Sequence, residues 1–171
     1  MASGKSTISV RLAKAIGFTR IDMDELFEER YKISVSDFFA KYGQEAFRQL
    51  ESQLLKETEN IDHAVISCGG GTPCFYDNMY WMNQHGITVY LSLPAEVIVN
   101  RLQNSRKKRP LIASKTADEL PVFVKEQLRR RNIYYSQARI VFPAVSAEIS
   151  KLVELIEGFA RFNKPQMPDS L

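Results

Sequence analysis

The sequence has few cysteines, no internal repeat and no apolar run near the roughly 20 residues that span a membrane. The only cysteines are Cys68 and Cys74. Their C-x5-C spacing lacks a nearby histidine, which makes it a poor metal signature. Two unpaired thiols suit a reducing compartment, so we expect a cytoplasmic protein that does not bind membranes.

The chain also lacks a strong charge of either sign. Its 171 residues carry a net charge of +3, with 44% hydrophobic and 25% charged residues. So small a net charge does not indicate nucleic-acid binding. The composition is that of one soluble globular domain. We therefore expect no nucleic-acid partner. A monomer is a separate expectation, which the composition does not decide.

Apolar spacing predicts strands that alternate with helices along the whole chain. The expected strands are 18–23, 64–68, 87–93 and 139–142. The expected helices are 5–16, 25–31, 36–42, 43–59, 77–84, 95–104, 117–138 and 147–162, with Asp24 capping the helix that starts at residue 25. Such alternation predicts an α/β fold with a mostly parallel sheet covered on both faces.

The residues Ser3-Gly4-Lys5-Ser6-Thr7 match the second half of a phosphate-binding loop, G-x-x-x-x-G-K-[ST]. Glycine lets the backbone approach a phosphate, and the amides at the start of the following helix attract anions. In this motif the lysine reaches the β and γ phosphates, and the serine hydroxyl ligates Mg²⁺. The first glycine of the pattern would lie two residues before Met1.

Two further motifs stand where strands are expected to end. Asp22 and Asp24 are one residue apart, so one carboxylate can serve a metal while the other meets a second substrate. Gly69, Gly70 and Gly71 follow the apolar strand 64–68, at the end of a parallel sheet where ligands bind. Three glycines suit a ligand that contacts bare backbone amides, although a flexible turn would look the same.

Arginines form the third group of candidate site residues. Arg48 lies off the apolar stripe of its helix, with Glu51 three residues further on, and Arg131 lies in a run of three arginines. Arginine binds a carboxylate bidentately. The basic run 106–109 could indicate RNA binding, but a loop of cations that closes over a transferring phosphate fits its composition better.

Taken in order, these motifs resemble those of shikimate kinases from Met1 to about Pro143. The resemblance rests on six segments and one glutamate, namely 3–7, 22–24, 47–48 with Glu51, 67–71, 109–111 and 131–135. It implies a three-layer α/β/α P-loop kinase with a mobile lid. It also implies ATP-dependent phosphorylation of the 3-hydroxyl of shikimate, on the route to chorismate and aromatic amino acids.

The resemblance assigns a role to each candidate residue. Those implied in catalysis are Lys5, Asp24 and Arg109. Those implied in ATP binding are Ala2, Ser3, Gly4, Lys5, Ser6, Thr7 and Arg109. Those implied in shikimate binding are Asp24, Arg48, Gly70 and Arg131. Ser6 and Asp22 would serve Mg²⁺, Asp22 through water, and Arg101 is a candidate nucleotide contact.

The same resemblance predicts one kinase domain over residues 1–162, with a lid at about 105–117, a shikimate-binding helical region at about 24–59 and a loose tail at 163–171. It also predicts a buried first strand and the first loop glycine upstream of Met1. Two alternatives remain open. One is a kinase of another small hydroxylated metabolite such as gluconate, and the other is a non-catalytic nucleotide-binding domain.

Overall fold

A computed structural model describes residues 3–104 and 116–162. The predicted tail, Ala2 and nearly all of the predicted lid, including Arg109, lie outside these residues. The strands are β1 Thr19–Asp22, β2 Ala64–Ser67, β3 Val89–Ser92 and β4 Ile140–Pro143. The α-helices are α1 Lys5–Ile16, α2 Met23–Tyr31, α3 Val35–Lys56, α4 Asn78–His85, α5 Ala95–Gln103, α6 Glu119–Tyr135 and α7 Ile149–Phe162. Short 3₁₀ turns occupy Glu57–Asn60 and Thr72–Cys74.

The four strands form two parallel pairs, which confirms the prediction of an α/β fold with parallel strands. β1 pairs with β2 from Thr19 opposite Ala64, and β3 pairs with β4 from Val89 opposite Ile140. The described residues do not form the single continuous sheet that we expected, because β2 and β3 are not hydrogen-bonded to each other. Each pair is joined through helices, as parallel strands require.

Two apolar clusters hold these elements together. The larger one joins α1, α5, α6 and α7 to β3 and β4, with Val124 and Leu152 almost fully buried. The smaller one packs α2 against α3, with Phe27 in contact with the rings of Phe38 and Phe47. Of the helices described, none is both long and apolar enough to cross a membrane.

The helix α1 has the bounds that its apolar spacing predicts. It ends at Gly17, whose φ of 71° is the left-handed conformation that closes many helices. Its amino end follows Gly4, which also has a positive φ, 83°. The phosphate-loop residues therefore lie directly at a helix amino terminus, where backbone N–H groups lack partners within the helix.

The helix α3 contains the break that the sequence predicts at Gly43. This residue has φ 79° and ψ 175°, a backbone region that essentially only glycine adopts. The two halves of α3 thus change direction at a residue without a side chain. The second half brings Arg48 and Glu51 towards the end of β2.

We predict that Gly43→Ala destabilises the protein by about 1–3 kcal/mol, because a Cβ strains this backbone conformation. An added Cβ meets no atom within 4 Å at Gly43, so the effect isolates backbone strain from crowding. Urea unfolding measures it. Gly158→Ala is the matched control: Gly158 lies inside α7 with equally open space, and alanine there should be neutral or stabilising. Equal unfolding midpoints for Gly43→Ala and the unaltered chain would contradict the strain.

Candidate active site

The candidate site is built around the glycines that follow β2. A Cβ at Gly69 would lie 3.1 Å from Oε1 of Glu51 and 3.9 Å from Oδ1 of Asp24. A Cβ at Gly71 would overlap the guanidinium of Arg48, with 2.4 Å to one nitrogen. Side chains from α2 and α3 thus meet at the carboxyl end of a parallel strand, the position at which open α/β sheets bind ligands.

Arg48 and Glu51 form a buried ion pair within α3. Their side chains are 8% and 4% exposed, and Nη1 of Arg48 lies 2.5 Å from Oε2 of Glu51. The other carboxylate oxygen of Glu51 accepts a hydrogen bond of 2.7 Å from the hydroxyl of Thr72. A buried charge is tolerated when it is paired and hydrogen-bonded, and this carboxylate satisfies both conditions.

A second layer of hydrogen bonds fixes Thr72. The side-chain amide of Asn78 donates to the Thr72 carbonyl at 2.9 Å, and the Ser52 hydroxyl donates to Oδ1 of Asn78 at 2.6 Å. Thr72 and Asn78 are fully buried. This chain of contacts connects α3, the 3₁₀ turn and α4, so it immobilises the carboxylate that holds Arg48.

The guanidinium of Arg48 has one polar atom without a partner. Its carbon lies 4.7 Å from the ring centroid of Phe75 and 5.0 Å from that of Phe47. Its Nε is buried and, among the described residues, meets no hydrogen-bond acceptor. A buried guanidinium that retains an unpaired donor is suited to a planar anion such as a carboxylate.

Arg131 reaches the same glycines from α6. Its Nη1 donates to the Gly70 carbonyl at 3.3 Å, and the Tyr135 hydroxyl donates to that carbonyl as well. Burial raises the pKa of the nearby Cys74 thiol, and the charges of Arg131 and Arg48 both oppose that rise. Two arginines from helices far apart in sequence therefore lie close enough to the Cys74 thiol for both charges to affect its pKa.

Asp22 and Asp24 lie at the junction of β1 and α2, beside these glycines. The prediction that Asp24 caps α2 is wrong: Asp22 is the cap, and its Oδ1 accepts a 3.1 Å hydrogen bond from the Asp24 amide. The helix begins one residue after the strand ends, so the aspartate at the junction is the capping one. Oδ2 of Asp22 is also paired with Arg20 at 2.7 Å. The Asp24 carboxylate is left facing Gly69.

The phosphate-loop residues approach the glycines from α1. Ser3 is buried, Lys5 is half-buried, and Ser6 and Thr7 are exposed. Burial raises the pKa of the Cys68 thiol to about 12; the charge of Glu51 adds to this rise, and that of Lys5 opposes it. Nη1 of Arg101 lies 3.7 Å from the Cβ position of Gly4. Lysine, arginine and helix amino terminus together form a positive environment for phosphate.

Ser6 and Asp22 are the oxygen donors that the resemblance implies for Mg²⁺. No three His, Cys, Asp or Glu side chains within 3–104 and 116–162 form a cluster that could hold a metal ion. Mg²⁺ commonly takes only one or two carboxylates, keeps several waters and completes its shell with substrate phosphates. A serine hydroxyl and one aspartate fit that pattern. Because Arg20 engages Asp22, contact through a water suits this carboxylate better than direct ligation.

The structure brings together most of the residues that the sequence singled out. Asp24, Arg48 and Arg131 lie at the triple glycine, and Lys5 lines the same cavity as Gly69 and Gly70. Ala2 and Arg109 lie outside the described residues. No sequence pattern marked as site residues the side chains that hold this set in place, which are Arg20, Ser52, Thr72, Asn78 and Tyr135. The hydroxyl of Tyr135 contacts a carbonyl 65 positions away, and nothing local in the sequence signals it.

A phosphate loop that faces a pocket with two arginines, at the end of parallel strands, is typical of P-loop kinases that act on small anions. Residues 1–158 match the model of the shikimate kinase family. A shikimate kinase of Parabacteroides distasonis is 42% identical over 144 residues, which cover 84% of this chain and 83% of that protein. The chain belongs to the shikimate kinase family, and it is a phosphotransferase.

Solved structures agree with this assignment. The shikimate kinase of Bacteroides thetaiotaomicron superposes with a TM-score of 0.86 at 36% identity, covering 92% of this chain and 94% of that one. The shikimate kinase of Acinetobacter baumannii, solved in complex with shikimate, gives 0.82 at 26% identity, covering 97% and 91%.

We predict that Glu51→Gln destabilises the protein by about 3–5 kcal/mol, since it leaves the buried charge of Arg48 without a counter-ion. Chemical unfolding measures the loss. Glu57→Gln is the control, because it makes the same change in the Arg30–Glu57 pair, whose side chains are half exposed. That variant should unfold close to the unaltered chain. If both variants unfolded alike, the buried pair would not be what holds Arg48.

Proposed function

We propose that this chain transfers the γ-phosphoryl group of ATP to the 3-hydroxyl of shikimate, giving shikimate 3-phosphate and ADP. The observation that carries the proposal is the meeting of Arg48 and Arg131 at the triple glycine, beside the phosphate loop. A substrate with a carboxylate at one end and hydroxyls at the other would place its carboxylate at the two arginines and its hydroxyls towards the phosphate loop. The family match and the shikimate-bound relative from Acinetobacter baumannii support the same substrate.

In this proposal the carboxylate of shikimate binds between the two arginines. Arg48 offers its buried Nε, while Glu51 keeps the guanidinium in one orientation. Gly70 offers its amide, since its carbonyl already accepts hydrogen bonds from Arg131 and Tyr135. A preorganised clamp of this kind orients the ring before the reaction and lowers the entropic part of the barrier.

The other end of shikimate then lies towards Asp24. The oxygen of the 3-hydroxyl forms a bond to the γ-phosphorus as the bond to the bridging oxygen of ADP breaks. The carboxylate of Asp24 holds this hydroxyl and takes its proton. Asp24 suits that role because it lies at the glycines, 3.9 Å from the Cβ position of Gly69.

The phosphates of ATP bind across the amino end of α1. The amides of residues 2–7 donate to them, and Lys5 reaches the β and γ phosphates. We also propose that Arg109, outside the described residues, closes with a lid at about 105–117 and neutralises charge on the transferring group. A cation in that place contributes about 10³–10⁵ in rate in related phosphoryl transfers.

Magnesium completes the proposed site on the side of α1. Ser6 would hold it through its hydroxyl and Asp22 through a water. When bound, the ion would neutralise negative charge on the phosphates. The carboxylate of Asp22 keeps its orientation through the Asp24 amide and Arg20.

The proposal also covers the location, the oligomeric state and the domain organisation of the protein. We propose that the protein works in the cytoplasm as a monomer, as one kinase domain over residues 1–162 with a loose tail beyond it. Residues 24–59 would form the shikimate-binding region, which agrees with the position of Arg48 on α3.

The proposal is tested by measuring ADP release from Mg-ATP with and without shikimate. We expect release that depends on shikimate and saturates with it. Release with gluconate but not with shikimate would indicate a kinase of another hydroxylated metabolite. ATP binding without release for any acceptor would indicate a non-catalytic domain. Either result would refute the assignment.

We predict that Arg48→Lys raises the KM for shikimate at least about tenfold and leaves the KM for ATP nearly unchanged, because lysine cannot bind a carboxylate bidentately. Lys5→Ala should instead lower kcat, since its amine acts on the transferring phosphate. Steady-state kinetics with each substrate varied separates the two effects. Arg129→Lys is the control: Arg129 is exposed on α6 and paired with Glu126, so both constants should stay unchanged. An unaltered KM for shikimate in Arg48→Lys would remove Arg48 from the substrate site.

A further inference from the structure

The carbonyl of Gly70 accepts hydrogen bonds from two side chains, and both belong to α6. Nη1 of Arg131 lies 3.3 Å from the carbonyl oxygen, and the hydroxyl of Tyr135 donates to the same oxygen at a shorter distance. Residues four positions apart on a helix lie on one face, so α6 presents the two side chains to Gly70 together. A carbonyl oxygen has two lone pairs and can accept both bonds.

The two donors differ in how firmly they hold this oxygen. Most N–H···O hydrogen bonds measure about 2.9–3.0 Å. The contact with Arg131 is therefore long, and the bond from Tyr135 is the stronger of the two. Gly70 is half-buried, and a carbonyl shielded from water is costly when it has no partner. The hydroxyl of Tyr135 supplies that partner without help from the arginine.

The neighbouring strand fixes the position of Tyr135. Its ring packs on that of Tyr90 in β3, with 4.7 Å between the ring centroids. Burial raises the pKa of the Tyr135 hydroxyl, and the charge of Arg131 opposes that rise. Since an unperturbed tyrosine has a pKa of about 10, this hydroxyl is protonated at neutral pH and remains a donor.

Arg131 has a second use for its guanidinium. In the proposed function it binds the carboxylate of shikimate together with Arg48, and a bidentate bond requires two of its N–H groups side by side. Where Nη1 joins that bond, its long contact with the Gly70 carbonyl is given up. Because Tyr135 still donates to this carbonyl, binding of shikimate then leaves no unsatisfied acceptor behind.

We propose that Tyr135 is a positioning residue that keeps Arg131 available to the carboxylate of the substrate. Tyr135 holds the Gly70 carbonyl, so the arginine is not required there and can turn to the ligand. Phenylalanine at position 135 would leave Arg131 as the remaining side-chain donor to this oxygen among the described residues. Shikimate would then compete with the carbonyl for one guanidinium. The inference rests on the proposed function and adds to it a residue that acts through Arg131.

Tyr135→Phe tests the proposal, because it removes the hydroxyl and keeps the ring on Tyr90. Calorimetric titration with shikimate, without ATP, gives the Kd, and steady-state kinetics give kcat and the KM for each substrate. We expect the Kd and the KM for shikimate to rise about three- to tenfold, while kcat and the KM for ATP change less than about twofold.

Tyr76→Phe is the matched control, since it removes a phenolic hydrogen bond from the surface. The hydroxyl of Tyr76 donates to Glu45 at 2.9 Å, and Tyr76 is 54% exposed. All four constants should stay unchanged in this variant. An unaltered Kd for shikimate in Tyr135→Phe, or a fall in kcat with the KM unchanged, would overturn the proposal.

Arg131→Lys, alone and combined with Tyr135→Phe, separates positioning from packing. Lysine lacks the planar fork of the guanidinium, so the arginine that Tyr135 is proposed to release is absent. The tyrosine change should then add little to the rise in Kd that Arg131→Lys causes by itself. If the two effects multiplied in the double variant, Tyr135 would not act through Arg131.

Failure of the proposed function would give a different pattern of results. An unaltered chain that neither bound shikimate nor released ADP in its presence would refute the proposed function, and the inference with it. If the unaltered chain did both and Tyr135→Phe bound shikimate equally well, only the role of Tyr135 would be wrong. Urea unfolding of each variant completes the test, because a lower midpoint with an unchanged Kd would show a tyrosine that only supports the fold.

Discussion

The buried ion pair of Arg48 and Glu51 is the constraint on which the candidate site depends. Burying either charge without the other would strongly destabilise the fold. The ion pair therefore holds both side chains in one arrangement. That arrangement fills the space beside Gly71, which must therefore lack a side chain, and it requires the Thr72 hydroxyl as a further donor. The identity of the residues that follow β2 is thus set by an arginine on α3.

The same ion pair leaves a buried guanidinium nitrogen of Arg48 without a partner among the described residues, which suits an anion. Glu51 neutralises Arg48 without using all its donors, and the aromatic faces around the guanidinium keep water from replacing a ligand. Arg131 adds a second positive charge at Gly70, and Lys5 at the start of α1 adds a third near Cys68. A substrate with a carboxylate at one end would meet phosphate chemistry at the other. The two arginines lie on α3 and α6, whereas the phosphate-loop residues lie at the start of α1.

Local sequence predicted the parts of this protein that depend on neighbours in the chain. The apolar spacing of α1 and the glycines at 17 and 43 are confirmed, because helix ends and breaks follow from nearby backbone conformation. The proximity of Arg48 and Glu51 followed from their spacing of three residues on a helix. The capping role of Asp22 was missed because the strand and α2 adjoin without a loop. The contact of Tyr135 with Gly70 could not be predicted, since it joins residues 65 positions apart.

The sequence by itself determined the alternation of strands and helices, the phosphate-loop residues and the set of candidate acids and arginines. These depend on residue type and on spacing along the chain. Tertiary structure decided that Arg48 is buried, that Asp22 rather than Asp24 caps α2, and which strands pair. It also left an apolar space between β2 and β3. Strand order and burial arise from contacts between distant segments, and no local pattern encodes them.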